Sequence, residues 1–138
     1  MTDFIISRNF NKNVVTWNEA LENLQYSKNN NYLIKFNPPG FYICTEAHKI
    51  EKVKLILKDL KAVTAHCYLN ICSQDENLGN HKDDVDVWFW QCQGTTKWII
   101  NEEENLLYSG DLIFVKKNVH HNVLALEPRI GISMSDEK

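Results

Sequence analysis

The sequence predicts a mainly β fold: a barrel or sandwich of short strands, preceded by two helices. Three observations predict it. Two stretches before residue 62 carry apolar residues at helical spacing, later stretches alternate apolar and polar residues, and turn residues recur between them. The chain has 138 residues, the size of one domain with its own core. We therefore interpret 1–138 as a single domain, with an N-terminal helical and strand segment over 1–61 and a barrel core over about 62–134.

The N-terminal segment contains the two predicted helices. In TWNEALENLQYSK, Thr16 is followed three residues later by Glu19, which is a capping-box pattern. Residues at helical spacing then share one apolar face: Trp17, Ala20, Leu21 and Leu24. The second helix, in EAHKIEKVKLILKDLKA, has an equivalent face: Ile50, Val53, Leu57 and Leu60. Between them, NYLIKFNPPGFYICT predicts a strand, a Pro-Pro-Gly turn and a second extended piece.

The stretch after residue 62 supplies the predicted barrel. AVTAHCYLNIC alternates, and SQDENLGN is typical of a loop. Four further strands are predicted in DVDVWFWQCQ, TKWII, LLYSGDLIFV and RIGISMS, with one more in HHNVLAL. The segment NEEEN between two of them predicts a solvated polar turn.

Composition and charge exclude several classes of protein. The net charge is −3, the pI is about 5.9, and the lysines are scattered, so we expect no nucleic-acid partner. No window approaches the ~20 apolar residues of a membrane span, so we expect no membrane association. The four cysteines show neither a C-x-x-C pair nor zinc-finger spacing, and the N-terminus does not resemble a signal peptide. These features predict reduced, mostly buried thiols and a cytoplasmic protein.

A histidine and an aspartate stand at the start of the most apolar predicted strand, in GNHKDDVDVWFWQCQG. His81 and Asp83 are separated by one residue, a spacing that places two side chains on the same face of extended chain. A second histidine, His120 or His121, follows some forty residues later. Two histidines and one carboxylate form the facial triad that holds non-haem Fe(II) and leaves coordination positions open. The sequence therefore predicts a divalent-metal site.

The segment VTAHCYLNICSQDENLGNHKDDVDVWFWQCQGTTKW resembles the core of JmjC-type 2-oxoglutarate oxygenases, and is closest to the ribosomal-oxygenase branch. GDLIFVKKNVHHNV is similar to the second cupin motif, with Lys116 and Asn118 in place of its proline and glycine. The resemblance spans roughly residues 62 to 134. It implies a cupin-like double-stranded β-helix, or jelly-roll barrel, with Fe(II) bound by His81, Asp83 and a later histidine. Counting along the motif identifies that histidine as His121, with His120 as the fallback.

The resemblance also implies a cation for the distal carboxylate of 2-oxoglutarate. The position that usually carries it is Thr96 here, and Lys97 is adjacent but is expected on the opposite face of the strand. Arg129 opens the strand after the metal histidine, where other 2-oxoglutarate oxygenases carry an arginine. The same residue also fits a surface turn after Glu127-Pro128. Two polar strand residues complete the candidates for cosubstrate binding: Tyr68 and Asn70.

The resulting expectation is a small Fe(II)/2-oxoglutarate-dependent oxygenase, a hydroxylase of a small molecule or a protein side chain. One alternative is a metal cupin that does not use 2-oxoglutarate: another dioxygenase, an isomerase or lyase, or a small-molecule sensor. A second is a binding cupin with no catalysis. Because many cupins pair through barrel edges, the analogy of fold is compatible with a homodimer.

Overall fold

The structure, a computed structural model, describes residues 3–35, 40–71 and 78–136. Within these ranges the two helices are α1 (Trp17–Asn29) and α2 (Glu51–Leu60), and a 3-10 turn spans Ala47–Lys49. The strands in chain order are β1 (Phe4–Ser7), β2 (Leu33–Lys35), β3 (Phe41–Cys44), β4 (Thr64–Asn70), β5 (Val87–Gln93), β6 (Thr96–Ile100), β7 (Glu103–Leu107), β8 (Leu112–Val115), β9 (His121–Ala125) and β10 (Arg129–Ser135). The predicted mainly β fold with N-terminal helices is confirmed.

The strands form two antiparallel sheets. The larger has the order β1-β8-β5-β10-β4-β3-β2, and the smaller has the order β7-β6-β9. An apolar cluster joins them, with Phe89 and Ile113 from the large sheet packed against Trp98, Ile100 and Leu107 from the small one. Neighbours in the large sheet are mostly distant in sequence. The central strand β10 pairs with β4 and β5, so the middle of the sheet is held together by long-range pairing.

The helices cover the other face of the large sheet. The capping box at the start of α1 is confirmed: the Glu19 backbone N–H donates to the Thr16 hydroxyl over 3.2 Å, and the Thr16 N–H donates to the Glu19 carboxylate over 2.9 Å. That carboxylate also accepts from Lys52 on α2 at 2.9 Å, which ties the two helices together. Leu21, predicted to share an apolar face with Ala20, is not buried with it. It is 44% exposed, because the buried face of α1 runs through Ala20, Asn23 and Ser27.

Alternation along the central strands separates two environments. Odd-numbered residues of β4 and even-numbered residues of β10 are fully buried under the helices: Ala65, Cys67, Leu69, Ile130, Ile132 and Met134. Their neighbours along each strand face the small sheet. Val63 and Ile71 continue the same alternation in the sequence, but they lie just outside the strand and are 55% and 42% exposed.

Several sequence predictions are refined by the structure. The turn predicted in NEEEN consists of Asn101 and Glu102, both with positive φ, and the glutamates that follow belong to β7. Strand β5 begins at Val87, three residues later than predicted.

Three cysteines are free and buried as expected: Cys44, Cys67 and Cys92. Cys72 and the two prolines of the predicted turn lie outside the described residues. Neither described helix is both long and apolar enough to cross a bilayer.

Candidate metal and ligand site

The H-x-D segment lies in a loop that is pinned to the start of β9. The backbones of His81 and His121 form an isolated bridge, with N–H to O distances of 2.9 and 2.7 Å. The Asn118 N–H donates to the Asp83 carbonyl oxygen at 2.7 Å. Asn118 has φ of 65°, so it adopts the left-handed conformation expected where the cupin motif has glycine. Two loops distant in sequence therefore meet at one point.

That meeting point brings three predicted metal ligands together. One ligand atom from each of His81, Asp83 and His121 lies within 4.8 Å of the others. The His121 Nε2 atom is 3.4 Å from the Asp83 Oδ2 atom, and the two imidazole centroids are 4.4 Å apart. This donor set, two imidazoles and one carboxylate, suits a divalent transition metal and leaves further coordination positions open.

Backbone carbonyls orient both imidazoles. The Nδ1 atom of His81 lies 2.8 Å from the Gly79 oxygen, and that of His121 lies 3.0 Å from the Val119 oxygen. A carbonyl only accepts, so each Nδ1 must carry the proton and each neutral ring presents the Nε2 lone pair. Burial, together with the nearby His81, lowers the pKa of His121 below its usual value. The neutral ring is the form that binds metals.

The neighbouring His120 is directed elsewhere. It is exposed and lines a separate groove on the outer side of the small sheet, together with Asn80 and Asn122. His121 is buried and belongs to the cluster with His81. Adjacent residues at a strand start face opposite ways, so only His121 of the two reaches the cluster.

A cavity of about 220 Å³ opens beside the three-residue cluster. This volume is below the 300–1,000 Å³ typical of drug-sized ligands. Its lining combines the cluster with apolar, aromatic and polar side chains from both sheets: Phe41, His66, Tyr68, Leu78, His81, Asp83, Val87, Phe89, Trp98, His121, Val123, Arg129 and Ser133. The site therefore suits a small ligand that contacts the cluster at one point and the strands at others.

Arg129 is a buried cation in this cavity, 2% exposed. Its Nε donates to the Asn70 side-chain oxygen at 2.6 Å, but its buried Nη1 has no hydrogen-bond partner. Across the described ranges, no carboxylate forms an ion pair with it. Burial lowers the pKa of Arg129 to about 10, so it stays charged at neutral pH. The alternative of a surface position after the turn is wrong because Arg129 is buried, and its role in binding a cosubstrate stays a prediction.

Three aromatic rings surround this guanidinium. The Cζ atom lies 5.7, 5.6 and 5.7 Å from the ring centroids of Phe41, Tyr68 and Phe89. Burial raises the pKa of the Tyr68 phenol, so it is a neutral donor. Phe89 fits because Gly131 lies beneath it: a β-carbon there would overlap the ring. Phe41 was not predictable as a lining residue, since nothing in the local sequence indicates that β3 pairs with β4.

Three candidates for cosubstrate binding lie outside the cavity lining. Asn70 contacts Arg129 behind it, and the other two are Thr96 and Lys97. Thr96 is fully buried, and its hydroxyl bonds to the side chains of Gln91 and Trp98. Lys97 faces the outer surface of the small sheet, where its Nζ lies 3.7 Å from a carboxylate oxygen of Glu104. No bulge interrupts β6 in its pairing with β7, so the one-residue offset directs Lys97 away from the cavity.

Comparison with known proteins shows likeness at the level of fold. No protein-family model matches the sequence, and no curated protein does. Among solved structures, the chain is similar to YcfD, a ribosomal oxygenase from Escherichia coli, with a TM-score of 0.77 and 12% identity; the alignment covers 98% of this chain and 48% of that one. A complex of YcfD with cobalt and 2-oxoglutarate matches with the same values. KdgF from Halomonas sp. matches with a TM-score of 0.58 and 19% identity, over 77% of this chain and 88% of that one.

The chain spans about half the length of the YcfD structures that it matches. The likeness covers nearly all of this chain, and therefore both sheets and the N-terminal helices. The three-residue cluster is an observation on this chain's own residues. Together they show a cupin-like fold with a cluster of side chains that could hold a metal ion. The chain has the predicted cupin-like double-stranded β-helix fold, with ribosomal oxygenase YcfD among its structural neighbours.

Proposed function

We propose that this protein is an Fe(II)- and 2-oxoglutarate-dependent oxygenase that hydroxylates its substrate. One observation supports this above all. A buried arginine with an unpartnered Nη1 lies in the same small cavity as a His-His-Asp cluster. Burying a charge without a carboxylate is costly unless a ligand completes its hydrogen bonds. A small dianion that also chelates a metal would satisfy both ends of the cavity.

The described side chains fit the two ends of 2-oxoglutarate. His81, Asp83 and His121 would hold the metal and leave positions for a chelating keto acid. Arg129 would take the distal carboxylate through Nη1, while Asn70 holds its Nε and fixes the plane of the guanidinium. Charged hydrogen bonds of this kind contribute about 1.5–3 kcal/mol.

The remaining lining residues orient the ligand and exclude water. The phenol of Tyr68 stays protonated and lines the cavity beside Arg129. Phe89 and Trp98 form an apolar wall, with ring centroids 5.0 Å apart. When bound, Fe(II) would supply the redox chemistry that couples O₂ and 2-oxoglutarate to oxidation of a C–H bond. In that reaction 2-oxoglutarate becomes succinate and CO₂, one oxygen atom enters succinate, and the other enters the substrate as a hydroxyl group.

The test is an anaerobic titration of the Fe(II) protein with 2-oxoglutarate, followed through the charge-transfer band of the chelate. We expect a Kd in the micromolar range, about −7 to −8 kcal/mol. Arg129→Ala should weaken binding by one to two decades. Arg129→Lys should recover part of that loss, because it keeps the charge without the planar fork. Lys97→Ala is the matched control, a nearby cation outside the cavity, and should leave the Kd unchanged.

Succinate production in air completes the experiment. Succinate formation that depends on Fe(II) and falls in Arg129→Ala would support the oxygenase. If millimolar 2-oxoglutarate gives neither the band nor succinate, the proposal fails. A metal-binding cupin that does not use 2-oxoglutarate then becomes the better account.

A further inference from the structure

Gln91 is a fixed, fully buried amide on β5. Its Nε2 donates to the carbonyl oxygens of Gln93 at 2.8 Å and Gly94 at 3.1 Å. Its backbone N–H donates to Asp111, and its carbonyl oxygen accepts from Gly110. Since both amide hydrogens have partners, the orientation of the side chain is determined, and its Oε1 is left as an acceptor.

Thr96 links the fixed amide of Gln91 to the indole of Trp98. Its hydroxyl donates to the Gln91 Oε1 at 2.9 Å and accepts from the Trp98 indole N–H at 3.1 Å. An indole nitrogen can only donate and an amide oxygen can only accept, so this chain of hydrogen bonds has a single polarity. Both Thr96 and Trp98 are nearly inaccessible to water, so solvent does not compete for these bonds.

Trp98 contacts the metal cluster through its ring. Its ring is stacked on the imidazole of His121, with centroids 5.7 Å apart and planes inclined by 22°. The hydrogen bond from His121 Nδ1 to Val119 fixes the direction of one N–H but leaves the ring free to rock about it. The fixed indole plane of Trp98 beside the imidazole prevents this rotation. It therefore also fixes the direction of the Nε2 lone pair.

We propose that Gln91, Thr96 and Trp98 form a positioning relay for the metal ligand His121. The proposal rests on the metal centre put forward above. It gives Thr96 a role other than contact with the cosubstrate, at the position where the sequence resemblance implies a cation. None of the three residues belongs to the cluster of candidate ligands. They act by holding the imidazole at the angle that the ion needs, and outer residues of this kind tune metal affinity.

The test is a Co(II) titration of the metal-free protein, followed by the visible d–d absorption of the bound ion. Thr96→Val keeps the shape of the side chain and removes the hydroxyl. We expect it to weaken Co(II) binding by about 10- to 100-fold and to alter the d–d spectrum. Thr96→Ser restores the hydroxyl and should bind within about twofold of wild type. The matched control is Thr95→Val, which removes the neighbouring hydroxyl, bonded to Glu127 at 2.7 Å on the outer side.

Trp98→Phe tests the same relay and leaves the hydrogen bond between Thr96 and Gln91 in place. It is the variant to use if circular dichroism shows that Thr96→Val does not fold. It keeps an aromatic ring but loses the N–H, so we expect weaker Co(II) binding by about tenfold. Wild-type affinity and an unchanged spectrum in the folded valine or phenylalanine variant would overturn the relay while leaving the metal centre intact. Failure of the wild-type protein to bind Co(II) would overturn both.

Discussion

The two faces of the large sheet differ in the side chains they carry and in what packs against them. The helix-side face is closed and apolar, with Leu69 of β4 and Ile132 of β10 fully buried. The face toward the small sheet carries Tyr68 and Arg129 from the same two strands, and it encloses a cavity as well as an apolar cluster. Because successive residues of a strand point to opposite faces, one strand can stabilise the fold on one side and bind a ligand on the other. Substitutions of adjacent residues should therefore have separable effects.

The largest expected effect is on the cavity side. His121→Ala should remove saturable Co(II) or Fe(II) binding, because one of three protein ligands is lost. His120→Ala should retain about one metal ion per chain, since that ring lies outside the cluster. Metal content of the purified proteins, measured by mass spectrometry, checks both. Stoichiometric metal in the His121 variant, or its loss in the His120 variant, would contradict the assignment.

A change on the helix side should affect stability and spare the site. Leu69→Ala should lower the free energy of unfolding by about 2–5 kcal/mol, because it leaves a cavity in a fully buried core. The adjacent Tyr68→Phe removes only a hydroxyl on the other face and should cost under about 1 kcal/mol. Urea denaturation measures both. Comparable losses of stability in the two variants would show that the faces are not separable.

A buried carboxylate outside both faces provides a pH-dependent comparison. Asp111 accepts from the backbone N–H groups of Tyr108 and Asn9, and it pairs with Arg8 at 2.7 Å. Burial alone would raise the pKa of Asp111, but these partners hold it below its usual value. The stability that its charge provides is therefore present above the unfolded-state pKa of about 3.9, and is lost as the pH falls through the lower folded-state pKa.

Asp111→Asn should accordingly cost roughly 1–3 kcal/mol at neutral pH, since an amide nitrogen replaces one accepting oxygen. The difference in the free energy of unfolding between the variant and wild type should narrow as the pH falls below about 4. Urea titrations across that range measure it. A difference that stays constant down to strong acid would mean that the pKa of Asp111 is the same in the folded and unfolded states. Binding of 2-oxoglutarate at neutral pH should be unchanged.

The smallest effect belongs to the outer surface of the small sheet. The ion pair of Lys97 with Glu104 is partly exposed, so Lys97→Ala should change the free energy of unfolding by about 1 kcal/mol or less. Thermal unfolding followed by circular dichroism is sensitive enough to test this. A larger loss would show that the lysine contributes more than this partly exposed ion pair.

Local pattern was enough to predict much of this arrangement. Alternation in β4 predicts which residues lie on each of its two faces. The spacing of H-x-D and the position of His121 in the motif predict that His81, Asp83 and His121 lie together. Asn118 also adopts the positive φ that its place in the motif requires. Each of these features depends on residues close together in sequence or on a motif with fixed spacing.

The remaining features depend on long-range pairing. Whether Arg129 lies inside or outside is decided by its pairing with Asn70, 59 residues away, and not by the turn before it. Phe41 reaches the cavity because β3 joins the sheet beside β4. The hydroxyl of Thr96 is bonded across the turn between β5 and β6 to Gln91, only five residues away, but neither the local pattern nor the resemblance indicates that partner. Such pairings are set by the whole fold.

His81 and His121 are 40 residues apart in the chain and are joined backbone to backbone. An ion bound by both side chains would hold the two ends of that length of chain together in the folded protein, and its binding free energy would add to the stability of the fold. Because the unfolded chain lacks the assembled site, metal at a hundredfold excess over its Kd would add about 2.7 kcal/mol to stability. The melting temperature would then report occupancy, and a cell short of the metal would hold a looser protein, more open to proteases around residues 78–86.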